Sequence, residues 1–177
     1  GADYVRRNCE SVQDAAFVGC VDEVRSALRL SRHVTVLVGD HIVVPCVTGI
    51  VWPVVLLPMS IASGLSRAQL RAVLAHELAH IKRYDHVVNF FQLITESLFY
   101  FNPAVWVISR QIRIEREACC DAAAAAVIGT PDVYAQALAE VVLRLRSNPP
   151  VTALAFGNDC EHSGILDRVR RLLVPGY

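Results

Sequence analysis

The sequence lacks an excess of charge of either sign, and this absence bears on the partners that the chain can have. Lys and Arg together number 17, and Asp and Glu together also number 17, so the formal net charge is zero. Domains that bind nucleic acid through its phosphates carry a basic excess on one face. We therefore expect no direct nucleic-acid partner.

The chain also lacks an uninterrupted apolar segment of the length that a transmembrane helix needs, about 20 residues. Residues 42–61 are rich in Val but are interrupted by three Pro and a Gly, which is typical of short strands. Residues 87–108 are interrupted by Asn, Gln, Glu and Pro, which predicts a buried helix followed by a turn. Residues 1–10 carry charges and no apolar core, so we expect no signal peptide.

Polar residues are nevertheless scarce for a freely soluble domain. Hydrophobic residues make up 54% of the chain, and the mean hydropathy is +0.39. Either the core is unusually apolar or some surface meets a membrane or a partner. The length fits one domain, residues 1–177, with a substantial core.

Cysteine pairs at metal-binding spacing are missing as well. The chain has six cysteines and no CxxC motif, and the neighbours Cys119 and Cys120 cannot easily form a disulfide with each other. Disulfide frameworks belong mainly to smaller secreted chains with a higher density of cysteine. We therefore expect reduced, mostly buried thiols in a cytosolic setting.

The order of periodic segments predicts a mainly helical α+β fold with a small antiparallel sheet in its N-terminal part. Residues 4–30 have helical spacing of apolar positions, and Val-rich segments then predict strands over 33–38, 42–47 and 51–57. Three signals mark the starts of helices: Ser66, the pair Asn102-Pro103 and the pair Thr130-Pro131. The helices predicted after the sheet are 66–84, 86–100, 103–128, 131–146 and 163–173.

The chemistry is concentrated in His76-Glu77-Leu78-Ala79-His80, an HExxH motif inside the first of these later helices. Residues four apart share a helical face, so both imidazoles can bind one Zn²⁺. Glu77 lies on the same side of the helix and can take a proton from a water bound to the metal. The motif therefore predicts a zinc site with Glu77 as the general base.

A purely structural, buried histidine pair is the alternative interpretation of this motif. The neighbouring residues 72–75 and 78–79 are all small or apolar. Three ionisable groups on an otherwise apolar helix are costly unless something pairs them, and a metal ion does so. The metal interpretation is therefore favoured.

A catalytic zinc needs a third protein ligand, and Glu117 is the best candidate. Glu117 and Asp121 are four residues apart in the predicted helix 103–128, so Asp121 can share the face of Glu117 and orient a ligand histidine. A solvated acidic face paired with Arg113 or Arg116 is the alternative. The Ala-rich residues that follow indicate burial instead.

Other acidic residues are rivals for the third ligand position. Asp85 follows the HExxH motif closely, and it either caps the end of that helix or orients His80. The rivals are Glu96, Asp85 and Glu115.

Further motifs accompany HExxH along the chain. They are Phe-Asn-Pro-Ala-Val-Trp at 101–106, Arg-Ile-Glu-Arg-Glu at 113–117 and Arg-Val-Arg-Arg-Leu-Leu at 168–173. Together with the Val-rich segment 49–58, they resemble the BlaR/MecR family of membrane-associated zinc metallopeptidases. The resemblance covers residues 30–146 well and the last helix moderately.

The resemblance implies a gluzincin fold, in which HExxH supplies two zinc ligands and an ExxxD pattern, here Glu117 to Asp121, supplies the third. It also implies a place at the cytoplasmic face of a bacterial membrane, with flanking transmembrane helices in a larger protein. The implied partners are protein or peptide substrates, such as a transcriptional repressor or the protein itself. We do not transfer the β-lactam-sensing role, because these residues contain no counterpart of the sensor domain.

In related gluzincins a peptide substrate lies along an edge strand beside the metal, which by position falls within residues 43–57. The alternative is an ordinary sheet that only covers the core. A group that stabilises the oxyanion is also expected. His162 and Arg168 are candidates by analogy, and for each the alternative is a surface residue or one near a helix end.

We therefore expect a zinc-dependent endopeptidase domain of a membrane-anchored signalling or regulatory protein. The alternative from another class is a metal-binding regulatory or scaffold module without turnover. A third hypothesis is a structural helical domain that binds no metal, which a metal analysis distinguishes from the other two.

Overall fold

The computed structural model describes residues 10–11, 14–40, 42, 44–49, 52–147, 168 and 172 of the 177-residue chain. Helices make up most of this part, and a four-stranded sheet lies toward its N-terminal end. The predicted class, a mainly helical α+β fold, is confirmed. Among the residues described, no helix is both long and apolar enough to cross a lipid bilayer.

The first helix is shorter than its apolar spacing predicts. Helix α1, Ala15–Ala27, begins where the Asp14 side chain accepts a hydrogen bond from the backbone N–H of Ala16, at 3.1 Å. The prediction of one helix over 4–30 is wrong at strand β1, Glu10–Ser11. There the backbone pairs with another strand, and this tertiary contact outweighs the local helical pattern.

The sheet is mixed rather than antiparallel. Its other strands are β2, Thr35–Gly39, β3, Cys46–Thr48, and β4, Val54–Pro58, and the spatial order is β1-β2-β4-β3. β2 and β4 run parallel, whereas β1 and β3 run antiparallel to their neighbours. The predicted antiparallel sheet is wrong in its central pair, because β3 lies outside β4 instead of between β2 and β4.

The motif helix begins at a capping box. Helix α2, Met59–Gly64, is followed by helix α3, Arg67–Lys82, which carries HExxH. Ser66 Oγ accepts a hydrogen bond from the backbone N–H of Gln69, and Gln69 Oε1 accepts one from the backbone N–H of Ser66. After α3, Tyr84 adopts a left-handed conformation with φ of 59°, which redirects the chain into the next helix.

Three further helices follow the predicted bounds to within two residues, and the helix predicted over 163–173 lies outside the described residues except for 168 and 172. The three helices are α4, Asp85–Leu98, α5, Pro103–Ile128, and α6, Pro131–Ser147. The Asn102 side chain starts α5 by accepting a hydrogen bond from the backbone N–H of Ala104, at 3.0 Å. Because α3 packs against α1, α5 and α6, the HExxH motif lies within the core of the fold.

The cysteines in the described part of the chain are free thiols, as expected. Cys20 and Cys120 are buried, Cys46 is partly buried and Cys119 is exposed. The expectation of mostly buried thiols therefore holds for only half of these residues.

Candidate metal centre

The two histidines of the motif lie one turn apart on α3, and their ring nitrogens approach each other. His76 Nε2 lies 3.2 Å from His80 Nε2. Only 12% and 16% of the two side-chain surfaces are exposed. The sequence spacing predicts this arrangement, because residues i and i+4 share a helical face.

Helix α5 brings the Glu117 carboxylate to the same point. Glu117 Oε2 lies 3.4 Å from His76 Nε2, and Glu117 Oε1 lies 3.6 Å from His80 Nε2. One ligand atom from each of these three side chains lies within 4.8 Å of the others. Small buried residues on the packed helices, such as Ala79 and Ala124, allow α3 and α5 to approach closely.

Two of the acidic rivals lie elsewhere. Glu96 pairs with Arg113 at 2.7 Å. Glu115 accepts a hydrogen bond from Gln111 at 2.7 Å on an exposed face of α5. Neither carboxylate joins the group of ligand atoms around the two histidines.

Each histidine has a buried carboxylate on the other side of its ring. Asp121 Oδ1 lies 3.1 Å from His76 Nδ1, and Asp85 Oδ2 lies 2.9 Å from His80 Nδ1. A carboxylate only accepts hydrogen bonds, so Nδ1 of each neutral ring carries the hydrogen and Nε2 presents a lone pair. The sequence predicted that Asp121 orients a ligand histidine and that Asp85 either caps a helix or orients His80, and each carboxylate lies against a ring nitrogen.

Three acceptor groups therefore converge: two imidazole lone pairs and one carboxylate. Such a set is costly in a buried place unless a cation joins it. Ligand atoms placed 2.0–2.1 Å from a tetrahedral zinc lie about 3.3 Å apart. The separations here are 3.2, 3.4 and 3.6 Å, so the donor set and its spacing fit zinc.

The pKa values of His76 and Glu117 in the metal-free cluster reflect how closely these side chains and the Asp121 carboxylate are packed. Burial lowers the pKa of His76, but hydrogen bonds to Asp121 and Glu117 outweigh burial and raise that pKa to about 9. Burial raises the pKa of Glu117, but the hydrogen bond and charge of His76 bring it down to about 2. The metal-free cluster therefore retains a proton at neutral pH, which shows how strongly it attracts positive charge.

Glu77 lies beside this cluster at the wall of a cavity of about 410 Å³. Its side chain is buried, and burial raises its pKa above the ordinary value for Glu. Cys46 of β3 lines the same cavity, and burial followed by the charge of Glu77 raises its pKa to about 11. A carboxylate with a raised pKa beside a cation site can take up a proton and release it again.

Arg168 and Tyr134 close the site behind His76. Arg168 is helical, as predicted, and its Nε and Nη2 donate to Asp121 Oδ2 and Oδ1 at 2.8 and 2.7 Å. Its Nη1 lies 3.5 Å from Glu117 Oε2. The buried Tyr134 hydroxyl donates to Asp121 Oδ1 at 2.8 Å. Asp121 is thus held between a ring nitrogen, a phenol and a guanidinium.

The comparison with protein families identifies the kind of protein that carries this cluster. The family described as BlaR1 peptidase M56 matches residues 2–169. The chain belongs to the BlaR1 peptidase M56 family. The resemblance to BlaR/MecR peptidases found in the sequence is thereby confirmed.

Relatives of this M56 chain are longer proteins. The regulatory protein BlaR1 of Bacillus licheniformis is 29% identical over 117 residues, which are 66% of this chain and 19% of that protein. The methicillin resistance mecR1 protein of Staphylococcus aureus (strain Mu50 / ATCC 700699) is 27% identical over 90 residues, which are 51% of this chain and 15% of that protein. The match therefore spans less than a fifth of the length of either relative.

Sequence reasoning missed Tyr134 and gave no role to Cys120, although both contact residues of the metal centre. Tyr134 belongs to an ordinary helical pattern and carries no motif, so only its tertiary contact reveals it. Cys120 lies inside the ExxxD pattern, and its Sγ donates to Asp85 Oδ2 at 3.3 Å. Of the two oxyanion candidates, Arg168 is tied to Asp121, and His162 lies outside the described residues.

Proposed function

We propose that this M56 chain is the zinc-dependent endopeptidase domain of a membrane-anchored regulatory protein. The observation that carries the proposal is the convergence of His76, His80 and Glu117 beside the buried carboxylate of Glu77. Membership of a peptidase family supports peptide-bond hydrolysis as the reaction. We further propose that residues 1–177 form one domain of the larger protein.

His76, His80 and Glu117 would hold the zinc ion through two imidazole nitrogens and a carboxylate. When bound there, zinc would polarise the scissile carbonyl and make a water molecule acidic enough to lose a proton near neutral pH. The lone-pair geometry of the two rings supports this ligand set, since both Nδ1 atoms already face carboxylates.

Glu77 would act as the general base. It lies at the cavity wall, and its raised pKa lets the carboxylate take a proton from the attacking water and then give it to the leaving amine. Burial is the main cause of that raised pKa, and it makes the Glu77 carboxylate a stronger base toward the attacking water.

The residues behind the ligands would keep the rings in position. Asp121 and Asp85 hold the two Nδ1 atoms, and Arg168 and Tyr134 hold Asp121. Arg168 also lines the cavity, so it is a candidate for stabilising negative charge on the substrate carbonyl as that charge develops.

The shape of the cavity wall supports an extended peptide as substrate. β3 is the outer strand beside β4, and its residues Cys46 and Val47 line the cavity. A peptide pairing with β3 would gain backbone hydrogen bonds and present a carbonyl to the cluster. We propose β3 as the substrate-binding edge that the sequence placed within 43–57.

The names of two relatives, one a regulatory protein and the other a methicillin resistance protein, support a regulatory role. We propose that the substrate is a transcriptional repressor or the protein itself. The proposed location is the cytoplasmic face of a bacterial membrane, with flanking transmembrane helices in the full-length protein.

Glu77→Gln tests the proposal, because it keeps the volume of the side chain and removes the base. The variant is expected to bind zinc as the wild type does and to cleave a peptide library at least about 100-fold more slowly. Glu115→Gln, a matched change at an exposed glutamate on α5, should keep both properties.

Two outcomes would overturn parts of this function. Undiminished cleavage by Glu77→Gln would remove Glu77 from the mechanism. The second outcome is that the wild type binds zinc and shows no peptide cleavage that is inhibited by a chelator. That result would favour a regulatory or scaffold module without turnover.

A further inference from the structure

The hairpin formed by α4 and the start of α5 has its polarity reversed. We call residues 86–109 the outer hairpin. On α4 the buried residues are polar, namely Asp85, Gln92 and Glu96, whereas its large apolar residues are exposed. A helix of a water-soluble domain has the opposite arrangement, with its apolar stripe facing the core.

The amide nitrogen of Gln92 and the carboxylate of Glu96, both buried on α4, are paired with groups on α4 and α5. Gln92 Nε2 donates to the backbone carbonyl of Ser109 at 2.8 Å and contacts Glu96 Oε1 at 3.3 Å. Arg113 Nη1 pairs with the same Glu96 oxygen at 2.7 Å. The carboxylate of Glu96, the single Asp, Glu, Lys or Arg within the outer hairpin, is therefore paired with an arginine that follows the hairpin on α5.

The outward side of the hairpin is apolar over a wide arc. Successive residues of an α-helix are about 100° apart around its axis. Viewed down the axis of α4, the exposed side chains from Leu93 at one edge to Phe91 at the other cover an arc of about 160°. The turn and the start of α5 continue this surface, and Phe101 at its tip is 70% exposed. The exposed apolar residues are Val88, Phe90, Phe91, Leu93, Ile94, Leu98, Phe99, Tyr100, Phe101, Trp106, Val107 and Ile108.

Some polar groups on this outward side are satisfied within the hairpin. The Thr95 hydroxyl donates to the carbonyl of Phe91 at 2.9 Å, and the Trp106 indole donates to the carbonyl of Tyr100 at 2.9 Å. Such internal pairing lowers the cost of removing water from the surface.

We propose that the outer hairpin inserts its tip into one leaflet of a lipid bilayer with anionic headgroups. Along α5, the first exposed charge after Pro103 is Arg110, which lies about 10 Å from Pro103 at 1.5 Å per residue. Interfacial apolar elements enter the boundary of headgroups and acyl chains by about 5–10 Å. Arg110 would then lie at the level of lipid phosphates, and aromatic residues would flank the boundary.

The shape of the apolar surface favours lipid over a second copy of the chain. The exposed residues surround the end of the hairpin, on both helices and on their connecting turn. A protein partner covers one side of such a projection, whereas a bilayer surrounds it. Because Asp85 is the first residue of α4 and contacts His80, insertion would also hold the metal cluster close to the membrane surface.

Trp106 provides a direct test, because the chain has only two tryptophans and Trp52 can be replaced by Phe. With vesicles of phosphatidylcholine containing about one-third phosphatidylglycerol, the emission of Trp106 should shift to the blue. Lipids brominated on their acyl chains should quench that emission. Neither change is expected for a hairpin that stays in water.

A pair of substitutions tests the surface itself. Phe91→Asp combined with Phe101→Asp should weaken vesicle binding at least about 100-fold, because two large apolar side chains no longer enter the lipid. Both positions are exposed, so the fold should persist. Val18→Asp combined with Val133→Asp, at exposed apolar positions outside the hairpin, should bind vesicles as the wild type does.

Several results would overturn the inference. Vesicle binding unaffected by the two hairpin substitutions would place the lipid contact elsewhere. Equal binding to pure phosphatidylcholine vesicles would remove the role of anionic headgroups. A dimer in lipid-free sedimentation that these substitutions dissociate would assign the surface to a second copy of the chain.

Discussion

Asp121→Asn is expected to weaken zinc binding without changing a proposed ligand. In the wild type the Asp121 carboxylate contacts His76 Nδ1 at 3.1 Å and accepts hydrogen bonds from Tyr134 and Arg168. An asparagine keeps the shape of the side chain but loses the charge and can turn an N–H group toward the ring. The hydrogen of His76 is then no longer held on Nδ1, so the Nε2 lone pair is less available.

The size of the effect follows from the two roles of Asp121. Loss of a carboxylate behind a metal-binding histidine lowers metal affinity about 10–100-fold, or about 1.4–2.8 kcal/mol. The same change removes the two-point partner of Arg168, whose side chain is 20% exposed. A fully buried pair broken from one side costs about 3–5 kcal/mol. Arg168 is partly exposed and keeps its contact with Glu117 in the variant. We therefore expect the free energy of unfolding to fall by only about 2 kcal/mol.

Competition with a coloured zinc chelator measures the affinity, and urea unfolding in metal-free buffer measures the stability. Asp132→Asn, an exposed Asp in the first turn of α6, is the control and should change neither quantity appreciably. Asp85→Asn makes the equivalent change behind His80, where the ion pair with Arg83 is a single contact at 3.6 Å. It should therefore lower zinc affinity with a smaller loss of stability.

Zinc affinity within about threefold of wild type in Asp121→Asn would refute this reasoning. It would mean that the position of the His76 ring does not depend on the carboxylate behind it. A loss of stability without a loss of affinity would leave Asp121 with a structural role only.

Three further predictions concern the cluster and the helix beneath it. Glu117→Ala should lower the zinc bound per chain in elemental analysis, and an unchanged zinc content would require a different third ligand. Zinc affinity should rise with pH and level off above about 9, because His76 must lose a proton from a pKa of about 9 to bind the metal. Calorimetry in buffers of different protonation enthalpy should detect this released proton, and its absence at neutral pH would contradict the assignment. Leu78→Ala should cost about 2–5 kcal/mol in urea unfolding, because Leu78 is fully buried, and a loss under about 1 kcal/mol would contradict its place in the core.

The helical parts of the site were predictable because their causes are local. A spacing of four residues places His76 and His80 together on any α-helix, whatever surrounds it. The bounds of α5 follow from Asn102 and Pro103 at its start and from Gly129, with φ of 106°, at its end. Each of these signals acts within one helical turn.

The sheet shows where such local signals stop. Val-rich segments predicted strands, but no segment carries information about which neighbour it pairs with. β4 pairs in parallel with β2 because β3 lies outside it, and Glu10–Ser11 form a strand because β2 offers an edge. Both features depend on segments separated along the chain.

By itself the sequence determined the family, the mainly helical class, and the pairing of two imidazoles with a neighbouring glutamate on one helix. The sequence favoured Glu117 over its acidic rivals, but the tertiary structure brings its carboxylate to the two imidazoles, and it alone shows that Tyr134 and Arg168 contact Asp121. The physical reason is range. Helical periodicity acts over four residues, whereas these contacts exist only after α3, α5 and α6 have packed around a common core.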